Sequence, residues 1–253
     1  MPEKTNSTKI LLHTLAPATA GDDTASEFCL SGAERERAGR FVFARDRWAY
    51  SAAHSLLRTL LAEHHHLSPL DWTFRNNAYG RPELCPDRHG PAAPRFNISH
   101  THGRVAVALT LDHVPAGLDV GVDVENVART ADVLALARRF LSGQEADWLE
   151  SLPATEHHTQ FLRLWTLKEA VAKAVGMGLS LNFQSFHCRF DPLSVTFDQA
   201  ERGRPEHWSL YNEWIAPGHW VSMAVRHPAE TRIVWVIERG DVNIPNDASG
   251  HTR

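Results

Sequence analysis

Cysteine is scarce in this chain of 253 residues, and the three present, Cys29, Cys85 and Cys188, are odd in number and scattered. They make neither a disulfide framework nor a zinc-binding spacing, which points to a reducing, cytoplasmic setting. No apolar run approaches the ~20 residues of a membrane span, and the first ten residues lack a signal-peptide pattern, so no membrane partner is expected. Positive charge is not in excess. Lys plus Arg number 26 against 30 Asp plus Glu, a formal net charge of −4, which disfavours a dedicated nucleic-acid binder. There is also no regular alternation of strand and helix that would announce a parallel α/β sheet. What remains is an ordinary globular balance of 43% apolar and 22% charged residues, enough for a sizeable core.

The chain repeats itself. Leu30-Ser31-Gly32-Ala33-Glu34 recurs as Leu141-Ser142-Gly143-Gln144-Glu145. Thr73-Phe74 followed by Gly80-Arg81-Pro82-Glu83 recurs as Thr196-Phe197 followed by Gly203-Arg204-Pro205-Glu206. Gly103 opens an apolar run at Val105, and Gly218 opens another at Trp220. Three matches in one order at similar offsets predict two like α+β copies, 10–115 and 116–239, facing one another. The polar segments 1–9 and 240–253 read as disordered tails.

Ser31 with Glu34, and Ser142 with Glu145, have the spacing of capping boxes. After Ser31, the stripe Trp48, Ala52, Leu56 and Leu60 predicts a long amphipathic helix to about His64. Arg104 to Leu111 alternates as a half-buried strand, and 114–118, with Pro115 and Gly117, reads as the join between copies.

Three motifs carry possible chemistry. In Gly121-Val122-Asp123-Val124-Glu125 the period of two puts both carboxylates on one strand face. Such a pair is either a solvated polar face or a hard-oxygen site for Mg²⁺ or Mn²⁺. In the helical segment from Trp165 to Gly178, Trp165, Glu169 and Lys173 share a face. Glu169 and Lys173 there are either an i, i+4 pair or a third carboxylate and a phosphate-binding cation beside Lys168. Finally Phe96-Asn97-Ile98-Ser99-His100 reads as part of the turn before the Val105 strand and offers a hydroxyl and an imidazole to an anion, though any turn uses the same residues. No nucleophile elbow surrounds Ser99, so a hydrolase reading fails. The tract His64-His65-His66 reads as a solvated helix end, because consecutive helical residues point apart.

Taken in order, the three motifs resemble those of the 4′-phosphopantetheinyl transferases, specifically the larger, two-copy branch, over most of the chain. The resemblance implies that branch's pseudo-twofold α+β fold, a monomer, and two substrates, coenzyme A and an acyl or peptidyl carrier protein. It implies transfer of the 4′-phosphopantetheine arm to a carrier serine, with release of adenosine 3′,5′-bisphosphate. By matching motif positions, Asp123, Glu125 and Glu169 are the expected magnesium carboxylates, with Mn²⁺ as a substitute. Glu169 is the expected base and Lys173 the lysine on the diphosphate, seconded by Lys168. Ser99 and His100 are expected at the nucleotide end, Arg81 beside the adenine, and Arg37 and Arg40 near the 3′-phosphate. Glu34 departs from the pattern, standing about where some relatives carry a lysine. The basic run Arg35, Arg37, Arg40, Arg45 and Arg47 would steer an acidic carrier protein. The competing readings are a catalytically silent coenzyme A or carrier-binding module, and another Mg²⁺-dependent phosphotransfer enzyme such as a nuclease.

Overall fold

A computed structural model describes residues 7–17, 29–128, 132–199 and 203–241. It opens with β1 (Ser7–Ala16), α1 (Gly32–Gly39) and α2 (Ala44–His64). Next come a short hairpin, β2 (Phe74–Asn76) and β3 (Pro82–Leu84), the one-turn α3 (Pro86–His89), and a longer hairpin, β4 (Phe96–Thr101) and β5 (Arg104–Thr110). A turn closed by Leu118 N–H on the Pro115 carbonyl leads into the second half. There β6 (Asp119–Asn126), α4 (Val133–Phe140), α5 (Gly143–Ser151) and α6 (Ala154–Val175) precede the hairpins β7 (Phe186–Phe190) with β8 (Leu193–Phe197) and β9 (Trp208–Ile215) with β10 (His219–Arg226). A last strand, β11 (Arg232–Asp241), ends the described chain. Both halves thus run strand, capped helix, long helix, short hairpin, long hairpin, an α+β arrangement.

Four layers result. One sheet has the order β11-β1-β5-β4, with β1 and β11 parallel; the other has the order β6-β10-β9. The sheets pack through Ile10, Leu12, Ala106 and Ala108 on one side and Val120, Val122, Val124, Val221, Met223 and Val225 on the other. Helix α2 covers the outer face of the first sheet at Leu11, Val105, Val107 and Leu109, and α6 covers the second at Ala224. Every residue of β5 is therefore buried, not the expected half, because a helix lies on one face and a sheet on the other. No helix among the described residues is long and apolar enough to cross a membrane.

Two expectations need correction. The segments set aside as tails contribute to the fold: β1 starts at Ser7, with Thr8 only 1% exposed, and β11 reaches Asp241. The chain ends pair with each other (Ile10 opposite Trp235), so the polar look of residues 7–9 hides a strand. Residues 1–6 and 242–253 lie outside the described residues. The long helix is also broken, α1 stopping at Gly39 and α2 starting at Ala44. The break serves an ion pair. Arg58 Nε donates to Glu34 Oε2 at 2.8 Å, which a continuous helix would hold apart by ~36 Å at 1.5 Å per residue.

Candidate active site

The site forms where the edge strands of the two sheets meet. The 96–100 motif, expected on a turn, is strand β4 instead, paired along its length with β5 so that the turn shrinks to residues 102–103. Its Asn97 Oδ1 accepts the Val122 N–H of β6 at 3.0 Å, fixing β4 and β6 side by side. Opposite this seam, α6 lies directly on β6. A Cβ at Gly121 would stand 2.0 Å from the Ala170 carbonyl oxygen and 2.4 Å from the Ala174 nitrogen, so only glycine admits the helix. The carboxylate face of β6 is consequently packed rather than solvated, and Asp123 is only 5% exposed.

Asp123 is the meeting point. Its Oδ1 accepts from Ser99 Oγ at 2.8 Å and from Lys173 Nζ at 2.7 Å, and Lys173 also donates to Ser99 Oγ at 3.0 Å. A serine from the first half and a lysine from the second therefore share one buried carboxylate. Lys173 turns to Asp123 and not to Glu169, so the simple i, i+4 pair is absent. Asp123 Oδ2 is buried with no hydrogen-bond partner, a costly state for a charged oxygen.

These residues open onto a cleft of about 710 Å³, lined also by Arg37, Tyr50, His54, His100, Glu125 and Glu169. Burial, then the negative charge of Asp123, push the Glu169 carboxyl up to about 7; Lys173 opposes this, and Glu125 adds a smaller push. Desolvation in the cleft, with the positive charges of Lys173 and His54, holds the His100 imidazole below its usual value. Carboxyls raised and imidazoles lowered in one cleft are a mark of functional sites.

Among the described residues, no three of His, Cys, Asp or Glu converge tightly enough to form a metal cage. Mg²⁺ rarely needs one, since it usually takes one or two carboxylates and completes its shell with water and substrate phosphates. The donors here are carboxylate oxygens, and the orphan Oδ2 of Asp123 is an oxygen that such an ion would satisfy. The residues fit the ion.

Three expected ligands lie elsewhere. Lys168 is fully buried, its Nζ on Glu145 Oε2 at 2.6 Å and on the Phe186 carbonyl at 2.6 Å, and it does not line the cleft. It is the counterpart of Arg58, which joins the other capping-box glutamate, Glu34, to the carbonyls of Pro69 and Trp72. Arg81 directs its guanidinium at the Lys173 carbonyl (2.9 Å), Glu83 (2.8 Å) and Asp119 (3.2 Å), closing the end of α6 while only its neighbours Gly80 and Pro82 line the cleft. Arg40 is exposed beyond the end of α1, paired with Glu36 outside the cleft. Glu34, the departure from the resembled pattern, is claimed by Arg58 and His54.

Tyr50 and His54 escaped the sequence reading. Their rings meet on α2 with centres 4.2 Å apart, tilted at 37°, and the Arg37 guanidinium lies 5.5 Å over the Tyr50 ring. Their spacing of four was the available signal, but the apolar stripe Trp48, Ala52, Leu56 and Leu60 on the same helix is the stronger pattern.

Two family models match the chain: one described as 4′-phosphopantetheinyl transferase superfamily over residues 119–222, the other as 4′-phosphopantetheinyl transferase, N-terminal, over residues 20–111. The chain is 33% identical over 151 residues to the 4′-phosphopantetheinyl transferase HetI of Nostoc sp., a match covering 60% of this chain and 61% of that protein. It is 31% identical over 175 residues to a Bacillus subtilis 4′-phosphopantetheinyl transferase, covering 68% of this chain and 72% of that one. It is 29% identical over 212 residues to the human L-aminoadipate-semialdehyde dehydrogenase-phosphopantetheinyl transferase, covering 79% and 68%.

Proposed function

The chain belongs to the 4′-phosphopantetheinyl transferase superfamily, and we propose that it moves the phosphopantetheine arm of coenzyme A onto a carrier-protein serine with the help of Mg²⁺. The observation that carries this reading is the meeting of Ser99 and Lys173, one from each half, on buried Asp123 beside Glu125, Glu169 and His100.

Asp123, Glu125 and Glu169 would hold Mg²⁺, which when bound offsets charge on the diphosphate and polarises the phosphorus under attack. His100 and Arg37, on the wall formed by the first half, receive the phosphate of the nucleotide end. Ser99 holds the Lys173 ammonium in place while keeping its own hydroxyl in the cleft. The carrier serine oxygen bonds to the phosphorus that bears the pantetheine. The bond from that phosphorus to the oxygen bridging the two phosphates then breaks. Glu169, with no hydrogen-bond partner among the described residues, takes the serine proton. Lys173 stabilises the charge gathering on the departing adenosine 3′,5′-bisphosphate. Arg35, Arg40 and Arg45 remain exposed and offer an acidic carrier a positive surface. The cleft is built within one chain, so a monomer suffices.

The test is intact-mass spectrometry of an apo carrier protein incubated with the enzyme, coenzyme A and Mg²⁺. The expected product is heavier by one phosphopantetheine arm, and chelating the metal stops its formation. An unmodified carrier at full Mg²⁺ leaves a binding module in place of a transferase.

A further inference from the structure

A second cavity, of about 660 Å³, lies in the other half of the molecule, away from the cleft described above. It stands where the symmetry of the chain would put a duplicate of the cleft wall. Gln144, Glu145 and Trp148 follow the capping serine Ser142 at the same intervals as Ala33, Glu34 and Arg37 follow Ser31. Gln160 precedes Lys168 by the interval that separates Tyr50 from Arg58. The chemistry has changed, however. The arginine of the first copy is replaced by Trp148, and the cation has moved to Arg163 on α6.

Arg163 is the unusual group. Its guanidinium lies 3.9 Å from the Phe190 ring centre and 5.1 Å from that of Trp220, stacked and half-buried. Its polar contacts are both to neutral amides: Nε donates to Asn212 Oδ1 at 2.9 Å, and Nη1 reaches Gln160 Oε1 at 3.5 Å. No carboxylate pairs with it among the described residues. Glu145, in the same wall, is spent on Lys168 and on the Cys188 N–H, and Asp191 is exposed. Burial alone pulls the Arg163 guanidinium below its usual value, as expected of a cation desolvated without a counter-charge. Arginine has five N–H donors, so most of those on Arg163 remain for a partner.

We infer that this cavity binds a small organic anion bearing a flat ring, its charge on Arg163 and its ring against Trp148 and Phe190. The volume falls within the few hundred to a thousand cubic ångströms of small-molecule sites, far more than an inorganic anion fills. Trp148 and Phe190 stand 5.6 Å apart at 48°, an open aromatic corner rather than a closed stack. Arg189, exposed on the same wall, adds a second positive charge.

The test titrates anilinonaphthalene sulfonate, followed by its fluorescence, into the full chain, with neutral N-phenylnaphthylamine as the uncharged comparison. Wild type should show a saturable phase for the sulfonate and a much weaker one for the neutral compound. Arg163→Gln should weaken the sulfonate by roughly tenfold or more, the worth of a charged hydrogen bond. Gln160→Glu, placing an internal carboxylate beside Arg163, should abolish the phase and raise the melting temperature. This variant decides the matter if Arg163→Gln does not fold. The inference is overturned if wild type has no saturable phase, if the neutral compound binds equally well, or if Gln160→Glu leaves binding unchanged.

Discussion

Lys168 and Glu169 are adjacent on α6 and point into different surroundings, and substitution should separate them. Glu169→Gln removes the proton acceptor but no hydrogen bond, so transfer should slow by about a hundredfold or more, the usual share of a positioned base, with little change in melting temperature. Stopped reactions at saturating coenzyme A measure this. Lys168→Met strands the Glu145 carboxylate in the core, and urea unfolding should register a loss of about 3–5 kcal/mol, with the rate per folded molecule nearly unchanged. Glu34 supplies a pH dependence. Burial raises its pKa, but hydrogen bonds from His54, Arg58 and Ser31 outweigh that and hold it far below the ordinary value of 4.5. A depressed carboxyl stabilises the fold above its unfolded pKa and loses that contribution as pH falls. The stability gap between wild type and Glu34→Gln, read by denaturant at pH 7 and stepwise to pH 3, should therefore narrow below about 4.5. The lysine misreading has a physical origin. A helix face shows which residues are neighbours within three or four positions, whereas Lys168 finds Glu145 across the fold. The repeat held the clue, since Glu34 has Arg58 where Glu145 has Lys168.

At the scale of elements, the crossing of α6 over β6 sets the site. Gly121→Ala places a methyl into the α6 backbone, whose carbonyl and amide cannot swing aside as a side chain can. Overpacking of this kind costs about 3 kcal/mol, and moving α6 displaces Glu169 and Lys173 together, so both stability and transfer should fall. Calorimetry and the carrier-modification rate check it; an active, stable Gly121→Ala protein would mean that the helix has room. Both capping boxes were legible because their bonds close within three residues, and both form. The pair Asp123 and Glu125 was legible from strand period alone. Its burial was not, because α6 reaches β6 from residues far along the chain. The end of α1 at Gly39 was marked only by a glycine, whose meaning depends on Glu34 folding back to Arg58.

At the scale of the molecule, the repeat in sequence becomes two passes through the same order of elements, and the cleft lies where the edge strand of each sheet meets the other. The parallel pairing of β1 with β11 was invisible to a local reading, since it joins the two ends of the chain. The central claim is that a carboxylate from the second half, gripped by a serine of the first and a lysine of the second, makes the transferase site. Asp123→Ala tests it most directly, with the intact mass of an apo carrier protein followed over time beside wild type at equal Mg²⁺. The variant should keep its native circular dichroism and leave the carrier unmodified after wild type has converted all of it. A rate within about threefold of wild type, about 0.65 kcal/mol at 1.36 kcal/mol per decade, would contradict the account.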